Sequence, residues 1–435
     1  MLRAAARRLE AQELIAALAL AILPVTGAAA QTAPATMATA DPAVRARAET
    51  LVAILGGKPG YDTLFAPAFK AAVPAARFAA LTEQMRASLG EPRRVARLDP
   101  LGRWAASVTI DYARGSATLR LALDPAAPHA VTGLLVTGTA LRGDTAARVQ
   151  ADLAALPGTT HLGVYALDGA SPTAVIDVRG DAPAPLGSAF KLWVLAEAAR
   201  QVAAGERHWD DVVAVGTPSL PSGILQGWPA GSPVTLQTLA TLMISISDNT
   251  ATDTLLAMLG RAKVDAMAAR YGGHGPVLTT REAFVIKSDP ALTAAWAQGD
   301  AAARRAVLTA QATRIAGAAI DPLMFSSGPL AVDSVEWFAP PRDMARLLAA
   351  LRDAGPVVRG ILAVNPGVDP ATAARFGYVG FKGGSEPGVI ALDVLAQTKN
   401  GRWYAVSAAW HRPDGPVDEA KFLPLVTRAL ALVAE

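Results

Sequence analysis

Three stretches of this chain hold residue types that together can run an acyl transfer. In Pro185-Leu186-Gly187-Ser188-Ala189-Phe190-Lys191 a glycine turn opens an apolar run, so Ser188 falls in the first turn of a predicted helix with Lys191 three residues on. That spacing puts both side chains on one helix face, and a hydroxyl beside a proton acceptor is what a serine nucleophile requires. The helix start also directs backbone N–H groups toward anything bound at Ser188. Ser247-Asp248-Asn249 separates two apolar helical stretches, residues 239–246 and 251–259, and so forms a short loop able to face a cleft. Ser and Asp are also ordinary helix caps, so the tripeptide alone is ambiguous. Phe381-Lys382-Gly383-Gly384-Ser385 leads into a predicted strand at residues 389–395 and can lay a lysine beside the nucleophile.

Other chemistries find little support. Cysteine is absent, which removes disulfides, thiolate metal sites and a cysteine nucleophile together. The five histidines, His129, His161, His208, His274 and His411, stand far apart and none lies in a zinc-binding spacing. No metal or cofactor is expected. Lys+Arg 40 against Asp+Glu 37 is close to balance, and no long basic run carries interleaved aromatics, so nucleic acid is not an expected partner.

The elements that must position these residues follow from periodicity and turn signals. At 435 residues the chain exceeds what one core organises, and 52% hydrophobic with 18% charged describes a globular protein. Arg3, Arg7 and Arg8 precede an apolar stretch at residues 14–25 and the small residues Gly27-Ala28-Ala29-Ala30, which reads as a signal peptide over residues 1–30. The run is shorter than the roughly 20 residues of a membrane-spanning helix and contains Pro24, so no stable span is expected and the protein is placed as exported, periplasmic or secreted. Residues 31–42 form a flexible leader. Helical spacing at 43–55 and 75–89 precedes strand-like runs at 93–98, 104–112, 117–123 and 131–137, a small α+β domain over residues 43–140. Residues 141–435 form the second domain. In it, strands at 162–167 and 174–178, a helical series to about 354 and closing strands at 389–398 and 403–410 imply an antiparallel sheet built from both ends of the segment, with a helical block between.

Taken together, Ser188-x-x-Lys191, Ser247-Asp248-Asn249 and Lys382-Gly383-Gly384 resemble in order and type the S-x-x-K, S-D-N and K-T-G set of class A β-lactamases and penicillin-binding proteins. The resemblance covers about residues 143–435, with Leu162-Gly163-Val164-Tyr165 similar to the family's first inner strand and Pro341-Arg342-Asp343-Met344 to a later helix start. With the N-terminal domain included, the chain resembles the two-domain β-lactamase-like type of clavulanic acid gene clusters. This implies a β-lactamase/transpeptidase-like domain preceded by a steroid-isomerase-like or cystatin-like α+β domain.

The resemblance also implies roles. Ser188 attacks an acyl carbonyl, Lys191 takes the proton, Ser247 relays it, and Lys382 attracts a substrate carboxylate. Asn249, Gly384, Ser385 and Phe381 are the implied substrate-binding residues, with the N–H groups of Ser188 and Ser385 as an oxyanion hole. The partner is a small-molecule acyl substrate, a β-lactam, ester or peptide, bound by a monomer. Two departures stand out. Gly383 replaces the hydroxyl residue of the third motif, and no E-x-x-L-N deacylation motif exists. Glu282 is the one candidate substitute, with a loop salt bridge as its ordinary reading. The expected activity is a serine hydrolase with weak β-lactam turnover; a D-alanyl-D-alanine peptidase and a non-turnover β-lactam sensor use the same residues. The interval from Ser247 to Lys382 is longer than the family pattern, and residues 287–320 are read as an insertion that either covers the cleft or forms a plain surface helix.

Overall fold

A computed structural model describes residues 39–434 apart from 322, 326, 327 and 369. The signal-peptide reading at 1–30 and most of the leader lie outside the described residues. The chain divides into two compact units, Met1–Arg142 and Gly143–Glu435.

In the first unit, helices α1 (Pro42–Leu55), α2 (Tyr61–Leu64), α3 (Pro67–Ala72) and α4 (Ala75–Leu89) precede strands β1 (Pro92–Gly102), β2 (Ala105–Tyr112), β3 (Gly115–Leu123) and β4 (Val131–Leu141). The strands form one antiparallel sheet in chain order. Along β2 and β3 every second residue is buried, because one sheet face, with Val108, Ile110, Leu119 and Leu121, packs on Leu51, Leu55, Phe78 and Met85 of the helices. Strand β1 runs through the Asp99-Pro100-Leu101-Gly102 turn signal and does not stop at 98. It is an edge strand with register shifts, and an edge tolerates a proline that donates nothing to the ladder.

The second unit opens with α5 (Ala146–Ala154), β5 (Thr159–Ala166) and β6 (Thr173–Val178). A short β7 (Ala184–Pro185) and a 3-10 turn (Gly187–Phe190) lead into α6 (Lys191–Ala203). After the small strands β8 (Val212–Ala214) and β9 (Pro233–Thr235) come α7 (Leu236–Ser245), α8 (Asn249–Leu259), α9 (Arg261–Arg270), α10 (Thr280–Ser288), α11 (Pro290–Gln298), α12 (Ala301–Ala310) and α13 (Ala312–Gly317). Strand β10 (Phe338–Ala339), α14 (Pro341–Asp353), α15 (Pro356–Ala363) and α16 (Pro370–Ala373) precede β11 (Phe376–Glu386), β12 (Val389–Thr398), β13 (Trp403–His411) and α17 (Glu419–Ala431).

Five of these strands form an antiparallel sheet in the order β11-β12-β13-β5-β6. One face carries the helical block, where Ala391 and Leu395 join Trp193, Met243, Met344 and Leu348 in the main core. The other carries α17 and α5, with Ile390, Val406 and Trp410 against Phe422, Leu430 and Val149. Because both faces are covered, β12 is buried almost throughout and its sequence shows no alternation. Asp393 is the one charge within it. The 287–320 segment is not a detached cover. Leu292, Trp296, Leu308 and Ile315 belong to the main core, and Arg281 holds the segment by donating to Ala316 O at 2.8 Å.

Candidate active site

The turn that carries Ser188 is held from both sides. Leu186 N donates to Trp337 O at 2.8 Å, beside the short β7–β10 pair, and Gly187 takes a φ of 47° that suits glycine. A Cβ on Gly384 would stand 2.2 Å from Leu186 O and 2.3 Å from Ser188 N, so β11 presses its backbone directly on the turn. A Cβ on Gly187 would meet Ser385 N at 3.3 Å. The Ser188 and Ser385 backbone amides therefore lie in neighbouring segments with no side chain between them. The turn is a 3-10 helix that ends at Phe190, and Lys191 opens α6 directly after it.

Lys191 is fully buried and its ammonium is shared between two residues of the second motif. Nζ donates to Ser247 O at 2.7 Å, Ser247 Oγ at 3.0 Å and Asn249 Oδ1 at 2.7 Å. Asn249 Nδ2 donates to Leu220 O at 3.1 Å, which settles the amide orientation that presents its oxygen to Lys191. Among the described residues the Lys191 ammonium makes its hydrogen bonds to Ser247 and Asn249 and none to Ser188, which is half-buried one turn before it. Burial and then the neighbouring Lys382 ammonium hold Lys191 well below the ordinary lysine value, against the pull of Asp253 and Asp248.

Lys382 reaches the same hydroxyl from the sheet, with Nζ 3.1 Å from Ser247 Oγ and a further bond to Gly383 O. Burial lowers it to about 7, with Asp393 opposing. Lys382 and Asp393 are register partners on β11 and β12, and both are buried. Burial raises the Asp393 carboxyl to about 7, while Ser407 and Lys382 pull it down.

Ser247 joins the two lysines from a strained backbone. Its φ is 58°, rare for a residue with a side chain. Asp248 secures the bend by capping α8 through Ala251 N at 2.8 Å and by accepting Ile224 N at 2.7 Å and Leu225 N at 2.9 Å. The helix-cap reading of this motif and the cleft reading thus describe different residues of it: Asp248 caps, while Ser247 and Asn249 meet Lys191.

Two candidates are not brought to this group. Phe381 alternates with Lys382 along β11, so its ring packs with the outer-face cluster and against Gly367, away from the lysines. It also lies over Gly383, where a Cβ would stand 2.7 Å from Phe381 Cζ, a physical reason for glycine at that motif position. Glu282 is engaged elsewhere. Its carboxylate pairs with Arg261 at 2.7 and 2.8 Å and completes the capping box of α10 by accepting Thr279 N at 2.8 Å. The loop-salt-bridge reading describes it, and the pattern Thr279-x-x-Glu282 carried that signal. Ser385 is exposed, following Gly384 along β11.

Sequence reasoning missed a buried trio beside the Ser188 turn, Lys287, Glu336 and Glu386, in which Lys287 Nζ lies 2.9 Å from Glu336 Oε1. It also passed over Asp393, although a lone acid inside an apolar strand was a visible signal. Among the described residues no cluster of His, Cys, Asp and Glu could hold a metal ion, and no helix is long and apolar enough to cross a membrane.

Residues 144–359, about half of the chain, match the model of the Beta-lactamase enzyme family. No curated protein matches. Among solved structures, a β-lactamase from Sphaerobacter thermophilus is 21% identical with TM-score 0.47, covering 66% of this chain and 97% of its own. PBP-A in an acyl-enzyme complex with penicillin G is 19% identical with TM-score 0.46, over 66% and 94%. A β-lactamase from Chitinophaga pinensis is 16% identical with TM-score 0.45, over 66% and 96%.

Proposed function

Residues 144–359 match the β-lactamase enzyme family, a stretch that takes in β5 and β6 of the antiparallel sheet and most of the helical block described above, and from that premise we propose a serine hydrolase that forms an acyl-enzyme on Ser188. The observation that carries the reading is Ser247 Oγ, which stands 3.0 Å from Lys191 Nζ and 3.1 Å from Lys382 Nζ.

Ser247 O and Asn249 Oδ1 can only accept, so they hold two N–H bonds of Lys191 in either charge state. When Lys191 is the neutral amine favoured by its burial, its lone pair is free to take a proton from a hydroxyl. In this reading Ser188 Oγ bonds to the acyl carbon as its proton passes to Lys191, and the carbonyl π pair moves onto oxygen. The N–H groups of Ser188 and Ser385 then face that oxyanion, each such donor contributing about 3 kcal/mol. On collapse the bond to the leaving nitrogen or oxygen breaks. The leaving atom takes a proton from Ser247 Oγ, which recovers one from the Lys191 ammonium, so the catalytic groups return to their starting charges. The Lys382 ammonium attracts a substrate carboxylate.

Hydrolysis of the ester that remains needs a base for water. With the Glu282 carboxylate committed to Arg261 and to its helix cap, the acyl-enzyme is expected to be long-lived, giving weak β-lactam turnover and a preference for reactive esters. The same observation favours a second reading, a β-lactam sensor or D-alanyl-D-alanine peptidase acting through the same atoms. An exported monomer accords with either.

Intact-protein mass after mixing with a penicillin, a cephalosporin and an activated ester tests the proposal. A covalent adduct that Ser188→Ala abolishes is the expected result; an adduct that clears with release of hydrolysed product marks the hydrolase, and one that persists without product marks the sensor or peptidase. No adduct with any of the three, or an adduct that survives Ser188→Ala, overturns it.

A further inference from the structure

Lys287, Glu336 and Glu386 come from α10, from the segment before β10 and from the end of β11, and meet in the interior. Their side chains are 1%, 0% and 10% exposed. Lys287 Nζ bonds both carboxylates, Glu336 at 2.9 Å and Glu386 in a second close contact. Glu336 Oε2 in turn accepts Gly187 N at 3.1 Å and Trp337 N at 3.2 Å. Gly187 immediately precedes Ser188, and Glu386 immediately follows Ser385. One ammonium therefore ties together the two backbone segments whose amides the proposed reaction uses.

Stability alone does not account for such an arrangement. Well-packed apolar side chains stabilise a core at least as well as a buried ionic trio, because the desolvation of three charged groups offsets most of their attraction. A bonded trio does, however, fix relative position, since each contact has a narrow geometry. Between the two tied segments, Gly384 and Gly187 leave no side chain that could otherwise hold them apart, as the close approaches of their absent Cβ atoms to Ser188 N and Ser385 N demonstrate. Glu386 lies on the same strand face as Lys382 and Gly384, so the trio sits beyond the Ser188 turn from the two lysines of the site. Burial and the Glu336 charge push Glu386 well above the ordinary carboxyl value, with Lys287 opposing, which reduces the charge repulsion within the trio.

We infer that Lys287, Glu336 and Glu386 form a clamp that sets the spacing of the Ser188 and Ser385 N–H groups, making Lys287 a positioning residue for acyl transfer. The inference rests on the serine-hydrolase reading for its functional meaning. Its mechanical content, that Lys287 holds these two segments in register, is independent of activity.

The test compares wild type with Lys287→Met by acylation kinetics with an activated ester and by amide hydrogen exchange of peptides covering 185–190 and 383–387. The expected result is an acylation kcat lower by about 30- to 100-fold with little change in KM, the scale of a displaced donor or a misplacement of about 1 Å. Exchange accelerates in both peptides and not in 389–396. If Lys287→Met does not fold, the triple variant Lys287→Met, Glu336→Gln, Glu386→Gln removes all three charges at similar volume and is measured in its place. A folded variant with a lower melting temperature but wild-type kcat and wild-type exchange in both peptides would overturn the clamp. If wild type itself forms no adduct, the serine-hydrolase reading fails while the exchange comparison still decides whether Lys287 holds the two segments.

Discussion

Replacing Asp393 by Asn probes how the interior sets the charge of Lys382. The two side chains are register partners in the middle of the sheet, and among the described residues neither Asp393 oxygen has a hydrogen bond of standard geometry. Burial raises this carboxyl from 3.8 to about 7. Between those values the folded protein holds a proton that the unfolded chain has released, so wild-type stability falls as pH rises through that window. At about 1.4 kcal/mol per tenfold change, the loss approaches about 4 kcal/mol, an upper bound because Asp393 and Lys382 interact. The Asp393→Asn variant, whose amide does not titrate, has no such loss. Without the carboxylate Lys382 also drops further below about 7, since Asp393 is the group that raises it, and a lysine with a lowered folded value gains stability as pH rises. Both effects have one sign. Urea unfolding of the two proteins from pH 4 to pH 8 should give a stability difference that moves toward the Asn variant by about 2 to 4 kcal/mol. A parallel rise in KM for anionic substrates near neutral pH is expected as Lys382 loses its proton. A stability difference that stays flat across this range would refute the reasoning, since it would mean that Asp393 titrates alike in folded and unfolded chains.

Two further substitutions separate positioning from chemistry. Gly384→Ala should leave the fold intact by circular dichroism and slow Ser188 acylation by about 100-fold, because its Cβ would stand 2.3 Å from Ser188 N and must push the turn away. Glu282→Gln should leave adduct clearance at the wild-type rate while lowering stability by about 1 kcal/mol through the weakened cap and ion pair, read by thermal unfolding. Faster or slower clearance in that variant would return Glu282 to the reacting groups.

Parts of this molecule were readable at the level of residue order. The alternation in β2 and β3 and the helix Ala75–Leu89 follow from local periodicity, and the closing strands β12 and β13 from short apolar runs bounded by turn residues, signals that act over a few positions. The three motifs were visible because Ser188, Lys191, Ser247, Asn249 and Lys382 recur in a known order. What the motifs did not convey was pairing. Lys191 bonds to Ser247 and Asn249 across the helical block and not to Ser188, its near neighbour in sequence. Phe381, adjacent to Lys382, turns to the opposite face of the sheet.

The chain's composition and motif order determined which functional groups are available: one hydroxyl in a glycine turn, a second in a helix break, two lysines and an amide, with neither thiol nor zinc-type histidine spacing. Only the tertiary structure decided their protonation and their partners. The charge of Lys191 or Lys382 depends on how much water is excluded and on which distant ionisable groups lie nearby, and both depend on contacts between segments far apart in sequence. The trio of Lys287, Glu336 and Glu386 shows the same limit, because each is an ordinary charged residue until the fold removes all three from water together.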